Sequence, residues 1–257
     1  MTLARKPLSL VTSSSVQMML WFTPNMSVST VSTNPLKVAV LVSGSGSNLQ
    51  VLIDAMQAGS LPIEIVGVIS NVKDAYAVTR AQQAGIATAV FSHITEGENA
   101  GKRMGIKTFE RHASAQLNDW QPDLVVLAGF MRVLSDDFIS SSPAPMINLH
   151  PSLLPKYKGL DTHQRVLQSS DVHHGCSVHV VTAELDAGQV LTQAMLAVDH
   201  SESAQGLQAR VQKLEHQVLP WTILLIAHGV LDIKAINEQT AATAYLPELP
   251  LKLWLDS

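Results

Sequence analysis

The sequence predicts an α/β protein, an open and mostly parallel sheet with helices on both faces, in which the late strands can run antiparallel. Three observations predict it. Between Leu36 and Leu149, five short β-rich runs alternate with amphipathic stretches, the order expected of repeated βα units. The first run leads into a glycine turn that opens a helix. The fifth ends in polar residues followed by prolines, as strands do where open α/β sheets present side chains to a crevice.

Each element has its own signal. Residues 36–43 form a nearly continuous apolar run, as in a parallel strand buried on both faces. Residues 44–47 make a tight turn, and 48–58 a helix with Leu49, Leu52, Ile53 and Met56 on one side and Gly59 closing it. Residues 63–70 are a second strand, 74–84 a helix stopped by Gly85, and 87–91 a short third strand. A helix over 101–120 precedes Pro122 and a strongly apolar fourth strand, 124–128. Ser135 caps a short helix over 135–141, and 146–149 is the fifth strand. Residues 177–181 and 190–198 read as two later strands. A long helix, 201–228, keeps Leu207, Val211, Leu214 and Val218 in register and carries Pro220, which should kink it. From Leu231 onward, with Pro247 and Pro250, little periodicity remains.

Composition narrows the functional classes. The chain has 257 residues, 46% hydrophobic and 15% charged, enough for a sizeable core. A formal net charge of −4 advertises no nucleic-acid or anionic-membrane surface. The single cysteine, Cys176, forbids an intrachain disulfide; in the strand-like stretch 175–181 it reads as a small buried side chain rather than a nucleophile. No apolar run approaches the roughly 18 residues that span a bilayer. The first 35 residues hold Arg5, Lys6, many Ser and Thr, and no acid. That is transit-peptide composition, but the expectation is duller: a mis-called start with Met26 the initiator, or a floppy tail.

The chemistry concentrates in a few places. Asn148 and His150 lie two apart on an extended run, so an amide and a titratable ring share one face. Pro151 and Pro155 stiffen the loop beyond them. Asp186, in the loop 182–188, can hold and charge an imidazole. The glycine loop from Ser43 to Asn48 puts backbone N–H groups beside a helix start, a ready anion site. It lacks the third glycine of a dinucleotide fingerprint and the Lys of a Walker A loop, so a small phosphate monoester fits better. An ordinary βα turn that needs glycine for its backbone is about equally good from the loop alone. His150, His163, His173, His174 and His179 match no common zinc spacing. His173 and His174 are expected on a loop and His179 on a strand face. Among the basic residues Lys156, Lys158, Arg132 and Arg165, Arg132 stands out at a strand end; Lys158 reads as solvated surface.

These pieces together resemble one family. The stretches 42–49, 127–132 and 147–155, Gly175 to Val181, and Glu184-Leu185-Asp186 are similar, in order and spacing, to the folate-dependent phosphoribosylglycinamide formyltransferases of purine biosynthesis, in the formyltransferase superfamily. The resemblance runs from about Lys37 to about Gly229. It implies a Rossmann-like formyltransferase fold over 36–230, between the 1–35 leader and a 231–257 tail packed on the domain or trailing it. It implies transfer of formyl from 10-formyltetrahydrofolate, a co-substrate, to the amine of glycinamide ribonucleotide. It carries Asn148, His150 and Asp186 over as the catalytic trio, and Gly46, Ser47, Asn48 and Glu215 as the ribonucleotide site. It carries Met131, Arg132, Val133, Leu134, Thr182, Ala183, Glu184 and Leu185 over as the folate pocket. Asp186 is expected to raise the His150 pKa. No metal, covalent intermediate, nucleic acid or membrane is expected, and the enzyme is expected to be cytoplasmic, a monomer or homodimer.

The chain departs from the family pattern at Lys158 (usually proline), at Asp161 (usually histidine) and at Ala187-Gly188-Gln189 (usually Gly-Gly-Pro). A folate-contacting arginine is replaced near Ile106, with Arg103 and Lys107 as neighbours. Two other formyl-folate enzymes share the trio. A methionyl-tRNA formyltransferase should carry a basic C-terminal domain, whereas about 28 residues follow Gly229 here. A formyltetrahydrofolate deformylase should carry an N-terminal regulatory domain. A phosphate-sensing module of the same fold is the non-enzyme alternative.

Overall fold

A computed structural model describes residues 7–10, 18–21, 34–92, 105–237 and 251–254. The chain divides into two units, Met1–Ser32 and Thr33–Ser257. In the first, β1 (Pro7–Leu10) pairs antiparallel with β2 (Met18–Trp21).

The second unit begins with β3 (Leu36–Val42), buried on both faces from Val38 to Val42 as its apolar run requires. In order follow α1 (Ser47–Gln57), β4 (Ile63–Ser70), α2 (Tyr76–Gln83), β5 (Thr88–Val90), α3 (Ile106–Trp120), β6 (Leu124–Leu127), α4 (Asp136–Ser140) and β7 (Met146–His150). Then come α5 (Thr162–Leu167), β8 (His173–Val180), β9 (Val190–Ala197), α6 (Ala204–Ala227), α7 (Ile233–Asn237) and β10 (Leu251–Trp254). One sheet has the order β10-β9-β8-β7-β6-β3-β4-β5. All its neighbours pair parallel except β8, which runs antiparallel to both β7 and β9. The mostly parallel sheet with antiparallel late strands is as expected.

One core cluster joins Ala39 and Leu41 of β3, Val125 and Leu127 of β6, and Phe109, Ala113 and Leu117 of α3. Val38, Val40 and Val42, on the opposite face of β3, are equally buried. Helix α6 packs on β8 and β9 and against α1 and α5. As expected, Ser135 caps α4, accepting the Phe138 N–H at 3.3 Å; its own N–H and hydroxyl are taken by the buried carboxylate of Glu110.

Several boundaries differ. Strand β8 starts at His173, so His173 and His174 lie on a strand rather than a loop, and His174 is fully buried. The strand register with β9 extends the ladder across two polar residues that composition alone reads as a loop. The short α5 carried no readable period, because only Thr162 and Val166 are buried in its six residues. The tail contains α7 and an edge strand, β10, parallel to β9. Helix α3 begins at Ile106 among the described residues; the expected start at 101, and Arg103, lie outside them. Helix α6 continues through Pro220.

Candidate active site

The strand order sets the location. After β5 the chain returns to the far side of β3, so β3 and β6 are neighbours whose following connections diverge. Crevices at such switch points, beyond the carboxyl ends of the strands, are where open α/β sheets bind ligands. The loop after β3 is the glycine loop; the loop after β6 is 128–134. The Ser43 hydroxyl joins them, donating to Asn71 Oδ1 at 2.5 Å and accepting the Met131 N–H at 2.8 Å.

Gly46 is the N-cap of α1 with φ +70°, and a Cβ there would stand 2.6 Å from the Ala77 Cβ and 2.7 Å from its Cα. Glycine is therefore required both for the left-handed turn and for the approach of α2. Beside it, Ser47 accepts a hydrogen bond from Gln212 Nε2 at 3.0 Å, and Asn48 Nδ2 donates to Glu215 Oε2 at 2.9 Å. Two residues that the sequence placed in one site are thus in direct contact, 167 positions apart. Burial raises the Glu215 pKa, opposed by the Asn48 bond. Asn48 Oδ1 is buried with no hydrogen-bond partner among the described residues, an unsatisfied acceptor of a kind folded proteins rarely keep.

The trio forms at the end of β7. Asn148 and His150 share one face, and Asn148 stands opposite His179 in the β7–β8 register. The 182–189 loop brings Asp186 to them. Asp186 Oδ2 is 3.4 Å from His150 Nδ1 and accepts the Gly159 N–H at 2.9 Å. Asp186 Oδ1 is 3.6 Å from His179 Nε2 and 3.5 Å from Asn148 Nδ2. His150, Asp186 and His179 are 6%, 8% and 2% exposed, so the cluster is shielded from bulk water. Asp186 has φ +48°, a left-handed conformation costing about 1–3 kcal/mol and kept only where the surroundings impose it.

Partners fix the ring protons. His150 Nε2 faces the Tyr157 carbonyl oxygen at 3.0 Å, and a carbonyl only accepts, so Nε2 carries hydrogen. His179 Nδ1 likewise donates to the Val180 carbonyl oxygen at 2.9 Å. Its Nε2 lone pair then accepts from Asn148 Nδ2 at 3.1 Å, holding the amide in place.

Asp186 pushes the His150 pKa upward, as expected, yet the net shift is downward. Burial, which disfavours the cation, is the largest influence; it outweighs the Tyr157 carbonyl and Asp186, which favour it, and His179 and Arg165 add to the lowering. Burial also works against the Asp186 carboxylate, but the adjoining His179 ring, the bond from the Gly159 N–H and the nearby His150 outweigh it and bring its pKa below the ordinary value. At neutral pH the site therefore pairs a neutral imidazole with a carboxylate.

The trio opens into a cavity of about 670 Å³. Met131, Arg132, Val133, Leu134, Thr182, Ala183 and Leu185 line it, as the folate reading placed them. Met131, Val133, Leu160 and Leu185 give its mouth an exposed apolar rim. Glu184 does not line it; its carboxylate pairs with Lys158 Nζ at 2.9 Å. Lys158 is therefore tied across the two loops rather than simply solvated. The Arg132 guanidinium lies 5.6 Å from the centre of the Phe109 ring. Among the described residues, no group of three or more His, Cys, Asp and Glu could hold a metal ion.

Some site residues escaped the sequence reading. His179 was expected only on a strand face; its two-residue step from Ser177 was the available signal. Gln208 lines the cavity, and Gln212 reaches the glycine loop beside Glu215, which the resemblance had already placed there. Their spacing of four and three residues places all three on one face of α6.

A glycine turn beside a histidine–carboxylate pair, at the switch point of an open α/β sheet, is the arrangement of a transferase. The formyl transferase family model matches residues 36–223, and the chain belongs to that family. It is 43% identical over 198 residues to the phosphoribosylglycinamide formyltransferase of Escherichia coli (strain K12), covering 77% of this chain and 90% of the relative. The enzyme of that name from Haemophilus influenzae is 39% identical over the same shares. The structure of the phosphoribosylglycinamide formyltransferase from Coxiella burnetii, in complex with CHES, superposes with a TM-score of 0.70 at 45% identity, covering 77% of this chain and 90% of that one.

Proposed function

We propose that the chain catalyses the reaction for which these relatives are named, in purine biosynthesis: it transfers the formyl group of 10-formyltetrahydrofolate to the amine of glycinamide ribonucleotide. The observation that carries this reading is the meeting of Asn148, His150 and Asp186 at one cavity whose neighbouring loop joins Gly46, Ser47 and Asn48 to Glu215.

The amine nitrogen attacks the formyl carbon, and the carbonyl π electrons move to oxygen. Asn148 Nδ2 donates to that oxyanion through the hydrogen it shares only loosely with Asp186, at 3.5 Å, while His179 holds the other. The new ammonium must lose a proton before the old C–N bond breaks. His150 Nδ1 is unprotonated and open beside Asp186, so the proton moves there directly or through a water that both groups hold. The resulting imidazolium is stabilised by Asp186 and the Tyr157 carbonyl and also faces the oxyanion. As the intermediate collapses, the proton passes to N10 of the folate and tetrahydrofolate leaves.

Phosphate is assigned to the glycine loop, and a sugar hydroxyl to the unpartnered Asn48 Oδ1. Folate is assigned to the cavity between the 128–134 and 182–186 loops. The proposed compartment is the cytoplasm, which suits a sole, buried, unpaired cysteine. The proposed assembly is a monomer or homodimer. Mixing the purified protein with 10-formyltetrahydrofolate and following absorbance, with and without glycinamide ribonucleotide, tests the reading. Conversion that requires the ribonucleotide is expected; conversion without it would identify a hydrolase. His150→Ala should abolish turnover yet bind ribonucleotide as before, and normal turnover in that variant would sink the mechanism.

A further inference from the structure

We infer that Arg165, which does not line the cavity, is a positioning residue that sets the His150–Asp186 pair by holding the backbone of the loop after β7; the kinetic part of its test rests on the formyl-transfer reading. Two atoms of that loop serve the site. The Tyr157 carbonyl oxygen receives His150 Nε2 at 3.0 Å, and the Gly159 N–H is given to Asp186 Oδ2 at 2.9 Å. Both members of the pair are thus oriented by main-chain groups two residues apart, on one irregular loop.

That loop does not hold its own shape. Tyr157, Gly159 and Asp161 have φ of 59°, 80° and 58°. Left-handed backbone at the two non-glycine positions persists only where tertiary contacts impose it. The upstream half has several such contacts. Lys156 Nζ and the Tyr157 hydroxyl both donate to Asp171, at 2.6 and 2.5 Å, and Ser152 Oγ donates to the Lys156 carbonyl oxygen at 2.8 Å. The downstream half, which carries the Gly159 N–H, is held from α5. Arg165 NH1 donates to the carbonyl oxygens of Lys158, at 2.6 Å, and Leu160, at 3.3 Å, on either side of Gly159. Its guanidinium carbon also lies 5.3 Å from the centre of the Tyr157 ring. NH1 therefore ties the carbonyls of 158 and 160 while the guanidinium lies over the Tyr157 ring, which leaves the Tyr157 oxygen and Gly159 nitrogen aimed inward. Lysine, a point donor on a flexible stem, cannot reproduce this. Lys158 to Glu184, a further tie on this half, joins two exposed side chains and is weaker.

The groups acting on the His150 ring are Asp186 and the Tyr157 carbonyl, which favour its cation, and His179 and Arg165, which oppose it; His163 also lies close enough to feel its charge. The test uses R165K and R165M in the full chain. Each is measured for kcat and for KM with both substrates, and the His150 ring nitrogens are followed by NMR against pH in the absence of substrate. In R165K, kcat is expected to fall on the order of 10- to 100-fold, as for a catalytic group displaced by about 1 Å. The KM for ribonucleotide should stay unchanged. The His150 titration should move to lower pH, because the two groups favouring the cation lose their place while a charge opposing it remains. R165M should lose similar activity with a smaller displacement of the titration, since that opposing charge is gone. R165K, keeping stem and charge, also serves where R165M fails to fold. Wild-type kcat in R165K, or an unmoved His150 titration, would overturn the inference. So would a rise in folate KM with kcat intact, which would make Arg165 a ligand for the anionic end of the folate. The NMR titration needs no turnover, so a wild-type protein inactive in formyl transfer would refute the functional reading separately from the role of Arg165.

Discussion

His179 shows how much of this site rests on single side chains outside the trio. Its Nε2 lone pair holds the Asn148 amide, and its Nδ1 is committed to the Val180 carbonyl. His179→Leu keeps the strand face filled but releases the amide. We expect kcat to drop about 10-fold, less than the roughly 100-fold or more for losing an oxyanion donor outright, with ribonucleotide affinity unchanged by calorimetry. His150 sets the pH behaviour. Its pKa lies below the usual histidine value, and the attacking amine needs the neutral ring. The contribution of His150 should therefore be complete above about pH 6.5 and fall as pH drops through the lowered His150 value. Asp186 favours the cation, so Asp186→Asn should move that acid limb to still lower pH while reducing kcat. A pH profile of kcat/KM for both proteins checks the sign. Asn148, His150 and Asp186 were legible because strand periodicity and one loop carboxylate suffice to suggest them. The depressed His150 pKa was not, because burial in the folded chain outweighs the one neighbour that sequence brings to mind.

At the scale of elements, the glycine turn is the least forgiving. Gly46→Ala must adopt φ +70° and press a methyl into Ala77. The cost is about 3 kcal/mol, combining a left-handed alanine with overpacking. Both a lower midpoint in chemical denaturation and a raised KM for ribonucleotide are expected, because the start of α1 carries Ser47 and Asn48. By contrast, Glu184→Gln breaks an exposed pair, and denaturation should detect at most about 1 kcal/mol. The βα repeats through β7 were readable because each has its own apolar run and a glycine or cap at its end. The start of β8, all of α5, and β10 were not. Each depends on a neighbour: β9 for His173 and His174, α6 for α5, and an open sheet edge for β10.

Across the whole molecule, buried histidines tie stability to acidity. His150, His163, His174 and His216 all have lowered pKa values, mainly through burial, and His174 is lowered to about 4. The unfolded chain binds a proton at His174 near pH 6.5, whereas the folded chain resists it down to about 4. Stability from this residue is thus complete above pH 6.5 and lost as pH falls from there to 4, about 3 kcal/mol in all. His174→Leu should flatten that part of the stability curve, measured by denaturation at several pH values. A steeper acid loss than wild type would contradict it.

The irregularity in the β8–β9 pairing falls between Val178 and His179. Opposite, Asn148 meets His179 and His150 meets Ser177. Side chains alternate along a strand, so losing one codon between Ser177 and Val180 would turn every later position of β8 over and point a valine at the Asn148 amide. Point changes at these positions remove one partner at a time. An in-frame deletion of a single residue removes them together, so a deletion scan of β8 should find these codons far less tolerant of loss than of replacement, and the spacing of this strand should outlast the identity of most residues on it.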